Sequence, residues 1–497
     1  MSKIAETIKA ISQQGARQPR VIIMGAGMSG ILMGIRLLEA GLSNFTIYEK
    51  SDRIGGTWRE NTYPGIACDI PSYFYTYSFE VNPNWSRRFP PGAEIQQYFE
   101  RVFDKYKLAP HTVFNEEITH SKQIDGKWHI ETASGINDSA DFLVAATGIL
   151  HKINQPEFEG LDIFEGAKFH TARWDHDVDL QDKKIGIIGS GSTAIQTIDP
   201  LSKVAAKLTL FQRTAQWVFP LPDKTYSKLW IKLTTRFPIL GKMLYRIYRF
   251  SFEQSMGVAV TKPCLPRTLL TKLCHWNLSR VKDPELRAKL TPDYLPGCKR
   301  LVMSMPFYAA IQKPNCAVVT EHIDRIEAKG VRTKDGQLHE LDVLVLATGF
   351  DGFAFMRPMS MQGLNGLTLE EAWKNGPQAL RAMAIPGFPN FFMLIGPHSP
   401  IGNHSLIAIA ETQTNYIMQC IEKYMQGEFD LIEPTQQAVD DFYKTVNDAM
   451  PNTIWTTGCN SWYLDDKGIP GLWPWSPQQY TKEMQVADFS QYRFSKA

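Results

Sequence analysis

Arg20-Val21-Ile22-Ile23-Met24-Gly25-Ala26-Gly27-Met28-Ser29-Gly30 decides the fold of this 497-residue chain. The apolar run before the glycines is rich in β-branched residues and predicts a buried parallel strand. Ile31-Leu32-Met33-Gly34-Ile35-Arg36-Leu37-Leu38-Glu39-Ala40-Gly41 follows with helical patterning and a glycine at its end. Strand, glycine turn and helix are the setting in which G-x-G-x-x-G binds a dinucleotide. Gly25 permits the tight turn, Gly27 lets the backbone approach a pyrophosphate, and Gly30 lets helix and strand pack closely. The pyrophosphate is expected on the unpaired N–H groups of the helix N-terminus.

The next strand, Phe45-Thr46-Ile47-Tyr48, ends in Glu49. A carboxylate there accepts hydrogen bonds from ribose hydroxyls and repels a 2′-phosphate, which suits FAD or NAD. A second unit repeats the pattern. Lys184-Ile185-Gly186-Ile187-Ile188 leads into Gly189-Ser190-Gly191-Ser192-Thr193-Ala194, and Ile195-Gln196 continue into the helix; Gly189, Ser190, Gly191, Ser192, Thr193 and Gln196 are the expected cofactor contacts of this turn. Its following strand, 207–211, runs into Gln212-Arg213-Thr214, with an arginine where the first unit has an acid. A guanidinium binds a phosphate through two hydrogen bonds, so this site is expected to prefer NADPH. Two such turns describe a flavoprotein reduced by a nicotinamide.

The length predicts two or three domains. A net charge of +2 gives no case for nucleic acid. No apolar run reaches the length of a membrane span, and the polar residues 1–20 lack a signal peptide's apolar stretch, which predicts a cytoplasmic protein. The seven cysteines form no CxxC pair and no two stand five apart, so a disulfide reductase of similar layout is not expected. The same scatter argues against a disulfide scaffold and against zinc or any other metal. Phe142-Leu143-Val144-Ala145-Ala146-Thr147-Gly148 and Val343-Leu344-Val345-Leu346-Ala347-Thr348-Gly349 read as closing strands of the two units. The expected architecture is α/β, with two Rossmann-like dinucleotide-binding domains and a helical insertion. Residues 1–148 and 386–497 form one domain, 149–221 and 297–385 the other, and 222–296 the insertion.

Phe164-Glu165-Gly166-Ala167-Lys168-Phe169-His170-Thr171-Ala172-Arg173-Trp174-Asp175 lies between the glycine turns. It resembles the FxGxxxHxxxW(P/D) signature of the type I Baeyer–Villiger monooxygenases, a class B flavoprotein monooxygenase family. Gly55-Gly56-Thr57-Trp58, Tyr63-Pro64-Gly65, Cys68-Asp69-Ile70 and Lys299-Arg300 are also similar to that family. The resemblance covers nearly the whole chain. It implies that NADPH reduces FAD, that the reduced flavin captures dioxygen, and that the resulting peroxyanion attacks a ketone to give an ester or lactone. An anion in a dry site needs a permanent cation, and arginine does not lose its proton. The resemblance assigns that role to Arg300, with Asp69 as the acid that pairs with it. It also implies flavin contacts at Asp69, Trp58 and Tyr75, and a backbone contact at Ile118 on the adenine side. The NADP phosphate falls to Lys299 beside Arg213 and Thr214. Trp462 matches a loop tryptophan that closes over nicotinamide and substrate, with a buried core residue as the competing reading.

His170 invites a general-base role. The signature's place between the nucleotide domains instead favours His170 and Trp174 as a hinge. From Lys224 to Phe250 the chain has seven Lys or Arg and no acid, interleaved with aromatics. That composition suits either weak membrane-surface association or a solvated basic face on a helical cover. Two alternative functions stay open, namely a flavin monooxygenase oxidising nitrogen or sulfur and a non-catalytic FAD/NADP-dependent sensor. The identity of the ketone and the oligomeric state are not legible.

Overall fold

The computed structural model describes residues 3–465 and 467–496. Its frame is two five-stranded parallel sheets of matching design. In the first the strand order is 391–393, 142–145, 21–24, 45–49, 112–114. Val21–Met24 is buried throughout, as an apolar central strand requires, and leads through the glycine turn into helix α1 (Met28–Glu39). Gly41 ends α1 with φ +77°, and Leu42 N–H returns to the Leu37 carbonyl at 2.9 Å, a left-handed C-terminal cap. Phe391–Met393 pairs with 143–145, so the chain returns to the first sheet some 250 residues after leaving it.

The second sheet runs 316–319, 207–211, 184–188, 343–346, 167–170, and its glycine turn opens helix α2 (Ser192–Leu201). The sequence reading puts the Phe164–Asp175 signature in a linker. The structure corrects this, because Ala167–His170 is the edge strand of the second sheet, with His170 paired to Leu346. Ala167 and Phe169 pack on that unit's core, which draws the segment into the sheet.

The helical insertion packs on both units, with α3 (Lys228–Arg236), α4 (Pro238–Gln254) and α5 (Leu265–Leu278) as its longer helices. Its base is stitched to the first unit by Arg88 N–H on the Lys224 carbonyl and Tyr226 N–H on the Ser86 carbonyl. Tyr245 of α4 packs edge-on against Phe74, whereas Leu270, Cys274 and Leu278 of α5 join the core of the second unit.

A second correction concerns the cysteines. Cys298 and Cys459 form a disulfide with Cα atoms 6.1 Å apart. They lie 161 positions apart in the chain, so spacing carried no sign of the pairing. The other five cysteines are free.

Candidate active site

Both glycine turns open on one cavity of about 1120 Å³, larger than a single drug-sized ligand requires. At each turn the first glycine is forced. Gly25 has φ +99° and a Cβ there would meet the Ala146 carbonyl oxygen at 2.9 Å; Gly189 has φ +123° and would meet that of Ala347 at 2.3 Å. Ala146 and Ala347 stand at corresponding places after the two closing strands, so the same geometry is built twice. A Cβ on Gly30 would come within 1.9 Å of the Gly25 carbonyl oxygen, which fixes glycine by helix–turn packing.

The middle glycines are different. Gly27 and Gly191 have ordinary backbone angles, and a Cβ on Gly191 would meet nothing within 4 Å, on Gly27 only the Gly56 Cα at 3.7 Å. Protein packing does not demand glycine there, and the open space leaves room for a ligand to approach the backbone closely. Neither α1 nor α2 carries a side-chain cap, so their first N–H groups face the cavity as an anion site. Glu49 is buried against the first turn, Oε2 accepting from Ala26 N–H at 2.7 Å and Oε1 from Ser51 N–H at 3.0 Å. Lone pairs remain for ribose hydroxyls. The residues present therefore fit two dinucleotides.

At the second turn Ser190 Oγ donates to the Thr214 carbonyl at 2.6 Å. Exposed Arg213 and half-buried Lys299 both line the cavity, with Ser192 and Thr193 close by in the same wall. Burial, and then the charge of Arg213, hold the Lys299 ammonium below its ordinary pKa. Two cations brought together in one wall favour a bound phosphate.

The acid-bearing segment of the first unit is gripped by α2. Gly65, at φ +87°, lies so close to the Gln196 carbonyl that a Cβ would reach it at 2.4 Å. Gln196 Nε2 donates to the Ala67 carbonyl at 3.1 Å while its Oε1 accepts from the Tyr63 hydroxyl at 2.8 Å. Each end of that amide makes one bond to protein, which leaves an N–H and a lone pair of Gln196, a cavity-lining residue, for a ligand. The grip delivers Asp69 to Arg300, whose Nη2 donates to Asp69 Oδ2 at 2.7 Å. The Asp69 charge raises the pKa of Arg300 against the opposing effect of burial, and the Tyr463 hydroxyl adds a hydrogen bond. About a third of the Arg300 side chain (35%) stays open to the cavity, so the cation is fixed on one side and available on the other.

Trp58 Nε1 donates to the Tyr75 hydroxyl at 3.1 Å, and the two rings meet edge to face in the cavity wall. Ile118 opens a strand (Ile118–Ile124) and lines the same cavity, as do Glu116 and Glu117. Trp462 is 37% exposed and lies on Gly352, which excludes the core-tryptophan reading. Tyr463 is the residue the sequence reading missed. It lies beside Trp462, but its contact with Arg300 comes from the fold alone. The disulfide ties the segments bearing Arg300 and Tyr463 one residue before Lys299.

His170 does not line the cavity. Its Nδ1 accepts from Ala172 N–H at 3.0 Å, and burial followed by the charge of Arg173 brings its pKa down to about 4. Trp174 packs edge-on against Phe169.

A family profile described as "Pyridine nucleotide-disulphide oxidoreductase" matches residues 22–242. An uncharacterized monooxygenase of Mycobacterium tuberculosis is 50% identical over 464 residues, 93% of this chain and 94% of that protein. A Baeyer–Villiger monooxygenase of Streptomyces coelicolor is 37% identical over 482 residues, 95% of this chain and 92% of its own. This chain belongs to the Baeyer–Villiger monooxygenases. The crystal structure of a cyclohexanone monooxygenase from Rhodococcus bound to NADP+ matches it with a TM-score of 0.86 at 28% identity, over 97% of this chain and all of that one. An NADP-bound steroid monooxygenase matches equally well. The chain is thus a flavin monooxygenase, and neither heteroatom oxidation nor a non-catalytic sensor is favoured.

Proposed function

We propose that this Baeyer–Villiger monooxygenase places one oxygen atom next to a ketone carbonyl at the Asp69–Arg300 pair, giving an ester or lactone. The observation that carries the reading is that pair, closed at 2.7 Å and opening on the cavity that both glycine turns share. FAD, reduced by NADPH, supplies the electrons that activate dioxygen.

The chain's own residues do the rest. Gly25, Gly27 and Gly30 with Glu49 hold the FAD pyrophosphate and ribose, and Trp58, Tyr75 and Ile118 wall the flavin and adenine ends. Gly189, Gly191, Ser190, Ser192 and Thr193 receive the NADP pyrophosphate, and Arg213, Thr214 and Lys299 its 2′-phosphate. Arg300 keeps its proton throughout and faces the negative charge that develops on oxygen during the reaction; a fixed cation in a dry site stabilises that charge without reorganising. Asp69 and the Tyr463 hydroxyl hold the guanidinium in place. Trp462 covers the site from the C-terminal segment. His170 and Trp174 serve as the hinge between the nucleotide domains, supported by their place at the end of the edge strand and just beyond it, outside the cavity. On this reading residues 1–148 with 386–497 bind FAD, 149–221 with 297–385 bind NADP, and 222–296 roof the site.

The test is a ketone panel incubated with the purified FAD-loaded enzyme, NADPH and oxygen, with esters read by mass spectrometry. Arg300→Met is expected to keep FAD yet lower ester formation about 10²- to 10³-fold. A variant that makes ester at the parent rate would remove Arg300 from the chemistry.

A further inference from the structure

The insertion turns apolar side chains outward. On α4, Ile239 (69% exposed), Met243 (50%), Ile247 (52%) and Phe250 (66%) recur at i, i+4, i+8 and i+11, which makes one stripe. Leu229 and Leu233 of α3 and Phe237 at the joint extend it. Leu265, Leu269, Leu273 and Trp276 repeat the same spacing on α5, each 42% exposed or more. Eleven of the nineteen large apolar side chains exposed among the described residues fall on α3, α4, α5 and the Phe237 joint. The core-facing side of α4 is separate. Gly241 lies on Val81 and Tyr245 on Phe74, so α4 is apolar on two faces. A helix at a water-exposed surface needs only one such stripe.

Charge identifies what covers the second face. Exposed Lys228, Lys232, Arg236, Lys242, Arg246 and Lys272 run along the same helices. From Lys224 to Lys282 the only acid is Glu253, buried and paired with Arg249 at 2.8 Å. A second copy of this face would bring like charges together, whereas an anionic lipid surface meets both the cations and the apolar stripe. Among the described residues no helix is long and apolar enough to cross a membrane, so the contact is one of lying on the surface.

We propose that α3, α4 and α5 dock this enzyme on an anionic membrane surface. Inner side chains of the same segment, Phe252, Met256, Val260 and Leu270, wall the cavity, so the docked bilayer lies against the outside of the active-site roof.

Flotation of the full-length FAD-loaded enzyme with vesicles tests this, using phosphatidylcholine alone or mixed with phosphatidylglycerol, at low and high salt. The parent is expected to float with the mixed vesicles at low salt about tenfold more than with phosphatidylcholine, and to be released by salt. The triple variant Ile239→Ser, Ile247→Ser, Phe250→Ser is expected to stay behind while oxidising NADPH as the parent does. The charge variant Lys232→Gln, Lys242→Gln, Arg246→Gln is expected to lose the preference for phosphatidylglycerol. The proposal is overturned if the parent does not float at low salt, or if both variants float like the parent. A parent dimer that the serine variant dissolves, without vesicle binding, would assign the face to a second copy instead.

Discussion

Arg300 and Asp69 stand 231 positions apart, and each depends on the other. Without Asp69 the guanidinium would lose its fixed side, and without Arg300 the carboxylate would lie in a largely enclosed wall with its charge unmatched. Arg213 works differently, as an exposed cation lining the cavity beside Lys299 and poised for a phosphate. Arg213→Ala is expected to raise KM for NADPH about 10- to 100-fold, the worth of a charge-assisted hydrogen bond, while leaving KM for NADH nearly unchanged. Steady-state kinetics with both nucleotides would check this; an equal rise for both would show that Arg213 does not read the 2′-phosphate.

At the scale of elements, the two glycine turns separate packing from binding. Gly30→Ala places a methyl 1.9 Å from the Gly25 carbonyl, so poorly folded, FAD-free protein is expected. Gly191→Ala meets open space, so a folded protein that retains FAD and binds NADP weakly is expected. Thermal melting and flavin absorbance would distinguish the two, and equal damage from both would contradict the assignment of Gly191 to ligand approach. The Cys298–Cys459 bond belongs to the same scale, because it joins the Arg300 segment to the Trp462–Tyr463 segment. Cys298→Ser with Cys459→Ser is expected to cost about 2–4 kcal/mol of stability. The parent should show five free thiols in denaturant before reduction and seven after. Seven before reduction would mean that the bond does not form.

For the whole molecule, buried histidines contribute to the response to acid. Burial brings His398 down to about 4 and His404 to about 3, against an ordinary value near 6.5. Between about pH 6.5 and about pH 4 the unfolded chain binds a proton at His398 that the folded chain does not. The stability from that site is therefore whole above pH 6.5 and is lost as pH falls toward 4, by about 1.4 kcal/mol per pH unit. Glu411, whose pKa burial raises, works in the opposite sense, so the difference between variants is the clean readout. His398 has φ +62°, a conformation asparagine tolerates, so His398→Asn is the substitution of choice. The unfolding free energy of this variant should fall less steeply than the parent's between about pH 6.5 and 5. Parallel slopes in urea titrations would exclude His398 as a source of acid sensitivity.

Local chemistry made much of this legible from residues alone. A glycine turn between an apolar strand and a helix is a short-range pattern, so Gly25, Gly27, Gly30, Glu49, Gly189, Gly191 and Arg213 could be read in order along the chain. The resemblance to a family then pointed to Arg300 and Asp69. Contacts between distant segments were not legible. No spacing rule relates Tyr463 to Arg300, Gln196 to Ala67, or Cys298 to Cys459, because each depends on how α2 and the C-terminal segment close on the first unit. The signature segment likewise became a strand only because Val343–Leu346 was there to pair with it. The basic, aromatic character of the insertion was visible in the sequence, but which side of α4 faces out was decided by Val81 and Phe74 occupying the other. Sequence determined the local turns and charges, since these need only neighbours a few residues away. Tertiary structure decided which of them meet, since burial and pairing are properties of surfaces brought together.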